Sequence, residues 1–253
     1  MQVKYSDLKN KRVFITGGGS GIGASIVEHF CEQGSEVYFV DIDLKETKKL
    51  LNKIKKNKFR TPTFIECNLL DINKLEKTIK NIIAKKGPIH ALINNAANDD
   101  RHTTDQVDEK YWENRMAVNL KHYFFAAKAV VKSMMKMKAG SIVNLSSVSW
   151  MLGEGDKVVY ETAKSAVVGL TRSFAQEYGK YNIRTNSVVP GSIATERQIK
   201  HWLNPKYKKL ILDSQALKRQ LKPNDVAQLV MFLASDQSSG CTKQSFIVDG
   251  GIT

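Results

Sequence analysis

Short runs of β-branched and aromatic residues alternate along the chain with longer segments whose apolar positions recur every three or four residues. RVFIT, EVYFVD, TFIEC, HALINN, GSIVNLSS, IRTNSVV and SFIVDG have the length and composition of strands. The segments between them carry helical spacing, as in Ile22, Ile26, Val27 and Phe30 after the first strand. Strands that alternate with helices predict an α/β protein with a parallel, doubly wound sheet between two helical layers. No proline- or glycine-rich linker, low-complexity tract or internal repeat interrupts the alternation, so residues 1–253 read as a single domain.

Two stretches break the rhythm. Residues 95–108, NAANDDRHTTDQVD, follow the fourth strand and are polar and irregular; residues 190–222 follow the sixth and begin with Pro190-Gly191. Both leave carboxyl ends of strands, where open α/β sheets bind their ligands, so they are expected to wall a substrate pocket, the second as a loop or lid.

Composition narrows the class further. Hydrophobic residues make up 42% and charged residues 25%, values of a globular protein, and no apolar run has the length of a membrane span. The opening MQVKYSDLKNKR lacks the apolar stretch of a secretory signal, which makes the cytoplasm the expected location. Cys31, Cys67 and Cys241 are far apart with no CxxC spacing, so buried thiols are expected rather than a disulfide framework or a metal site. The formal charge of +14 is dispersed over KETKKLLNKIKKNK, KTIKNIIAKK and NPKYKKL, which read as solvated helix faces rather than a nucleic-acid or membrane surface.

The chemistry begins in RVFITGGGSGIG. Gly17, Gly18, Gly19, Gly21 and Gly23 lie between a strand and a helix, with Ser20 and Ile22 among them. Such a turn lets the backbone approach a pyrophosphate while the helix N-terminus offers free N–H groups. Asp41 closes the second strand 18 residues after Gly23, where a carboxylate can accept hydrogen bonds from an adenosine ribose and repel a 2′-phosphate. NAD is therefore favoured over NADP; Asp43 is available to cap the following helix in its place.

Tyr160 and Lys164, four residues apart in VVYETAKSAVVGL, fall on one face of a helix. A free tyrosine titrates near about 10, and a neighbouring cation favours the phenolate, so the pair suits proton transfer.

With TGGGSGIG, Asp41, NNAA at 94–97, Asn119, Ser147, Tyr160-x-x-x-Lys164, Pro190-Gly191 and the closing VDGG in this order, the chain resembles the short-chain dehydrogenase/reductase family over nearly its whole length. The resemblance implies a Rossmann fold with about seven parallel strands, a nicotinamide cofactor, and a homotetramer built partly through long helices near 108–137 and 157–180. It implies that Tyr160 is the acid/base, Lys164 lowers its pKa and binds the nicotinamide ribose, Ser147 (with Ser146 as the neighbour one register away) holds the reacting oxygen, and Asn119 anchors a water beside Lys164. It also implies that Asn94 stabilises the central strand and that the cofactor meets Asn68, Leu69, Asn95, Ala96, Pro190, Ile193 and Thr195. Three departures stand out: Ala97 for the last glycine of NNAG, Asn68 for an aspartate, and Lys243 within the usual TGQ.

NNAANDDRH, YWENRMAVNLKHYFF, SSVSWMLG and TERQIKHW are similar to a narrower subgroup, the NAD-dependent aldose 1-dehydrogenases acting on D-xylose and related sugars. A sugar needs fixed polar groups and an aromatic surface. Asn98, Asp99, Asp100, Arg101 and His102 are candidates for the first, with Trp150 and Trp202 for the second; a surface loop held by ion pairs, with His102 as its buttress, is the competing reading. His29, His90, His122 and His201 show no ligand spacing. A 3-oxoacyl thioester reductase or another secondary alcohol dehydrogenase shares the tetrad, but Asp41 and the charged loop count against the former. A dinucleotide-binding sensor or scaffold predicts a damaged tetrad, whereas Asn119, Ser147, Tyr160 and Lys164 are intact.

Overall fold

A computed structural model of the protein describes residues 3–253. The chain runs β1 (Arg12–Thr16), α1 (Gly21–Glu32), β2 (Glu36–Asp41), α2 (Leu44–Lys56), β3 (Thr63–Glu66), α3 (Ile72–Lys86) and β4 (Ala91–Asn94). It continues through α4 (Glu109–Met116), α5 (His122–Met137), β5 (Gly140–Leu145), α6 (Ser149–Leu152), α7 (Val158–Tyr178) and β6 (Ile183–Pro190). After β6 come α8 (Glu196–His201), α9 (Pro205–Ser214), α10 (Pro223–Ala234) and β7 (Ser245–Val248). The strands form one seven-stranded sheet in the order β3-β2-β1-β4-β5-β6-β7, every pair parallel.

Each strand lies within or against a run expected from the sequence. The reason is visible in β1, β4 and β5, whose side chains are buried almost throughout because helices cover both faces of a parallel sheet. One core joins the sheet to α1, α2 and α10; the other joins its opposite face to α3, α5 and α7. The helices start where short polar residues cap them: Asp43 accepts from Glu46 N, Asp71 from Lys74 N and Asp108 from Tyr111 N.

Two segments depart from the expected rhythm. The long helix near 108–137 is interrupted at Ala117–Lys121 by a π-helical turn that contains Asn119. Residues 190–222 fold into α8 and α9, which stand over the carboxyl edge of the sheet, while residues 95–108 stay irregular apart from a short turn at Thr104–Gln106. All three cysteines are free thiols; Cys31 and Cys67 are buried as expected, whereas Cys241 is only half-buried. No helix among the described residues is long and apolar enough to cross a membrane.

Candidate active site

The carboxyl ends of β1, β2, β4, β5 and β6 open into a cleft of about 1040 Å³. Its floor is the glycine turn. Gly17 has φ +65°, and a Cβ there would lie 2.7 Å from Ala96 Cα. A Cβ at Gly23 would sit 1.8 Å from the Gly17 carbonyl oxygen, so α1 is pressed against the turn as only glycine allows. Asn95 clamps the same turn, its side chain donating to Gly17 O at 2.8 Å and Thr16 O at 3.2 Å. Ser20 precedes α1 without capping it, so among the described residues the first-turn N–H groups of that helix have no side-chain cap. This open, positively polarised end, set in a cradle that a Cβ would fill, fits the pyrophosphate of a dinucleotide.

Asp41 ends β2 beside that turn, where its carboxylate accepts from Gly19 N and Ile42 N at 2.7 Å and from Asp43 N at 2.9 Å. Asp43 caps α2, so Asp41 remains on the cleft wall. Asn68 and Leu69 line the far end, with Asn68 Oδ1 accepting from Leu70 N at 3.0 Å. Ala96, Pro190, Ile193 and Thr195 close the other side, although the Thr195 hydroxyl also caps α8 by accepting from Gln198 N at 3.2 Å. Of the residues expected at the cofactor, Gly17, Ser20, Gly21, Ile22, Asn95, Tyr160 and Lys164 line the cleft as well; Gly23 is buried beneath it.

Tyr160 and Lys164 project from one face of α7, and Ser147 follows β5 opposite them. The Ser147 hydroxyl accepts from Ser149 Oγ at 3.0 Å and from Ser149 N at 3.2 Å, and on the Tyr160 side it favours the phenolate. Ser146 is instead buried, its hydroxyl donating to Lys164 O at 2.7 Å, which decides the register between the two serines. Lys164 Nζ lies 5.6 Å from the Tyr160 ring centroid and donates to Leu145 O at 2.7 Å and to Tyr123 Oη at 2.9 Å.

The electrostatics correct one expectation. Burial lowers the Lys164 ammonium to about 7, opposed by the Asp99 charge. Burial raises the Tyr160 phenol, the Asp99 carboxylate raises it further, and the Ser147 hydrogen bond works the other way. The expected lowering of the phenol by Lys164 is therefore outweighed by desolvation. The Asn119 side chain is engaged by the loop after β4: its Oδ1 accepts from Asn98 N at 2.7 Å and its Nδ2 donates to Asn98 O at 3.0 Å. Its side-chain amide is closed on the substrate loop, which it holds from behind, because the π turn aims it there.

Of the residues expected at the substrate, Asn98, Asp99, Arg101, Ser147 and Tyr160 line the cleft. His102, Trp150 and Trp202 are not brought into that wall. His102 is 6% exposed and ties the loop to the start of α7, with Tyr111 Oη 2.9 Å from Nδ1 and Val159 N donating to Nε2 at 3.3 Å. Trp150 on α6 keeps its indole N–H buried with no partner among the described residues, while Ser147, Ser149 and Leu152 line the cleft. Trp202 closes α8 and receives the Arg101 guanidinium over its ring at 4.8 Å, with Tyr207 at 5.1 Å from the same group. Arg101 also pairs with Asp156 at 2.5 Å.

The loop's carboxylates are shared with the lid. Asp99 accepts from Gln198 Nε2 at 2.5 Å and Arg197 Nε at 3.3 Å, while Asp100 pairs with Arg197 and, at 3.1 Å, with Arg115. Glu154, Lys157, Gln198 and Tyr207 also line the cleft. Sequence reasoning did not single them out. Lys157, whose ammonium pairs with Glu154 and with Asp156, looks in sequence like any lysine before a helix.

A family model described as enoyl-(acyl carrier protein) reductase matches residues 17–253. The chain is 42% identical over 247 residues to a D-xylose 1-dehydrogenase of Caulobacter vibrioides, covering 98% of this chain and 97% of that one. The chain belongs to the short-chain dehydrogenase/reductase family. Family membership makes it an oxidoreductase that uses a nicotinamide cofactor, in keeping with the cradle at Gly17–Gly23. It is also 40% identical over 249 residues to a protein of Rhizobium meliloti assigned as a galactose dehydrogenase, covering 98% and 97% of the two chains. A solved structure from Sinorhizobium meliloti, assigned as a short-chain alcohol dehydrogenase, superposes with a TM-score of 0.91 at 28% identity, covering 98% of each chain.

Proposed function

We propose that the protein oxidises a cyclic aldose, D-xylose or a related sugar, at C1 to its lactone with NAD. The observation that carries this reading is that Asn98, Asp99 and Gln198 line the same cleft as Ser147 and Tyr160. Several fixed donors and acceptors beside a proton-transfer pair suit a polyhydroxylated substrate. The sugars named for the Caulobacter and Rhizobium relatives support the same class.

Ser147 holds the C1 oxygen, and Tyr160 takes the proton of the anomeric hydroxyl. Ser147 favours the Tyr160 phenolate, so the two side chains are placed to engage one substrate oxygen. Lys164 places a positive charge beside the phenolate that accepts this proton and so becomes the phenol. When bound, the nicotinamide ring supplies the acceptor for the hydride that leaves C1. Gly17 to Gly23, Asp41, Asn68 and Ala96 would hold the dinucleotide, and the Asp41 charge supports NAD by repelling a 2′-phosphate.

The family model's description points to acyl-thioester chemistry as a second reading. The ion-paired loop Asp99–Arg101 and the paired Lys157 and Glu154 make the wall polar where an acyl chain needs apolar contact. Assembly as a homotetramer through α4, α5 and α7 is part of the proposal, supported by Trp112, Phe124 and Val158 lying exposed on those helices. Its mass in solution tests this.

The functional test is NADH formation over pentoses, hexoses and simple secondary alcohols. Turnover of aldoses with little on the alcohols supports the proposal. Activity on 3-oxoacyl thioesters with none on any aldose overturns it.

A further inference from the structure

Lys164 is 1% exposed, so its ammonium has almost no water around it and needs acceptors from the protein. The described structure gives it two, Leu145 O at 2.7 Å and Tyr123 Oη at 2.9 Å. Tyr123 comes from α5 and is 0% exposed. Its phenol has one proton, which it donates to Leu145 O at 2.9 Å. A hydroxyl whose proton is already engaged meets the lysine with its lone pairs. Toward Lys164, Tyr123 is therefore an acceptor. Burial, and the Tyr160 charge in the same direction, raise the Tyr123 phenol well above its usual pKa, so it stays a neutral acceptor. Its ring centroid also lies 5.0 Å from the ammonium.

We propose that Tyr123 is a positioning residue for Lys164: its oxygen and the Leu145 carbonyl hold two of the three ammonium protons and leave the third for the cleft beside Tyr160. The groups that bear on this ammonium come from three elements. Tyr160 lies one turn earlier on α7, Asp99 approaches from the loop after β4 with a charge that favours the ammonium, and His122 opens α5. Burial pushes His122 down to about 3, so it brings no second positive charge. Asn119 spends its side-chain amide on Asn98. That leaves Tyr123 as the side-chain acceptor seen on the lysine.

The consequence for stability has a definite sign. Lys164 titrates near about 7 in the folded chain and near about 10.4 when unfolded. Between those values the unfolded chain holds a proton that the folded chain lacks, so its contribution to stability rises with pH across that window and is flat on either side. Removing the Tyr123 oxygen withdraws an acceptor from the charged form and lowers the folded value further, by about one unit on the usual worth of a hydrogen bond to a charged group.

Melting temperature against pH for the wild type, Tyr123→Phe and Lys164→Met tests this without substrate or cofactor. Subtracting the Lys164→Met curve isolates the lysine. The rise is expected to begin about one pH unit lower in Tyr123→Phe than in the wild type. An onset that coincides with the wild type overturns the proposal, since a merely structural tyrosine lowers the whole curve without moving it. Where Tyr123→Phe fails to fold, Tyr123→Gln keeps an acceptor and is expected to keep the wild-type onset; a displaced onset contradicts the proposal.

The kinetic consequence rests on the Tyr160–Lys164 acid/base reading. There, Tyr123→Phe is expected to lose about tenfold in kcat with little change in KM for the sugar, and Tyr123→Gln to recover most of it. Normal turnover by Tyr160→Phe defeats the acid/base reading and leaves the melting curves to decide on Tyr123. An inactive Tyr160→Phe with a wild-type kcat for Tyr123→Phe defeats the Tyr123 proposal alone.

Discussion

Gln198 on α8 donates to the Asp99 carboxylate across the mouth of the cleft at 2.5 Å, joining the loop after β4 to the lid. The same carboxylate raises the proton affinity of both Tyr160 and Lys164. One side chain thus holds the walls of the cleft together and adjusts the protonation of the pair proposed as acid and base.

Asp99→Asn keeps an acceptor for Gln198 while removing the charge. Both the phenol and the ammonium then release their protons more readily, so the acid limb of the rate profile for sugar oxidation is expected to move to lower pH. A limb that stays in place shows that the Asp99 charge does not reach the pair.

Arg101→Ala removes the guanidinium from Trp202, Tyr207 and Asp156 together. With each stacked contact worth about 0.5–1 kcal/mol at a partly exposed site, α8 and α9 are expected to open more often. Limited proteolysis should cut residues 196–214 several-fold faster than in the wild type, with the sheet unaffected.

How far the sequence could be read depended on range. The strands were legible because parallel strands covered on both faces must be apolar throughout, and the cap Asp43 lies next to the helix it starts. Tyr160, Lys164 and the glycine turn were legible from local spacing. The ties of Asp99 to Arg197 and Gln198 span 98 and 99 residues and leave no periodic trace. Nor does composition say which way an aromatic turns: Trp150 and Trp202, expected at the sugar, do not line the cleft. The π turn that aims Asn119 at Asn98 is a local backbone choice with no side-chain signature, and Tyr123 looks like core until the lysine is placed beside it.

Asp41→Asn retains hydrogen bonding to Gly19 N but loses the negative charge at the ribose end. The ratio of kcat/KM for NAD to that for NADP is expected to fall about tenfold, the loss of one repulsive charge interaction. An unchanged ratio moves the source of cofactor choice away from Asp41.

Gly23→Ala puts a methyl group where the Gly17 carbonyl oxygen lies 1.8 Å away. The turn cannot keep its shape, and NADH binding, followed by fluorescence, is expected to weaken at least tenfold. Unaltered binding contradicts the packing of α1 against the turn.

The central claim is hydride removal from C1 of an aldose. The direct measurement supplies D-xylose, L-arabinose, D-glucose, D-galactose and L-fucose, each deuterated at C1, with NAD, and follows the label by mass spectrometry of the reduced cofactor. The account predicts deuterated NADH from at least one sugar, with the lactone formed in equal amount. Unlabelled NADH, or no reduced cofactor from any of these sugars, contradicts it.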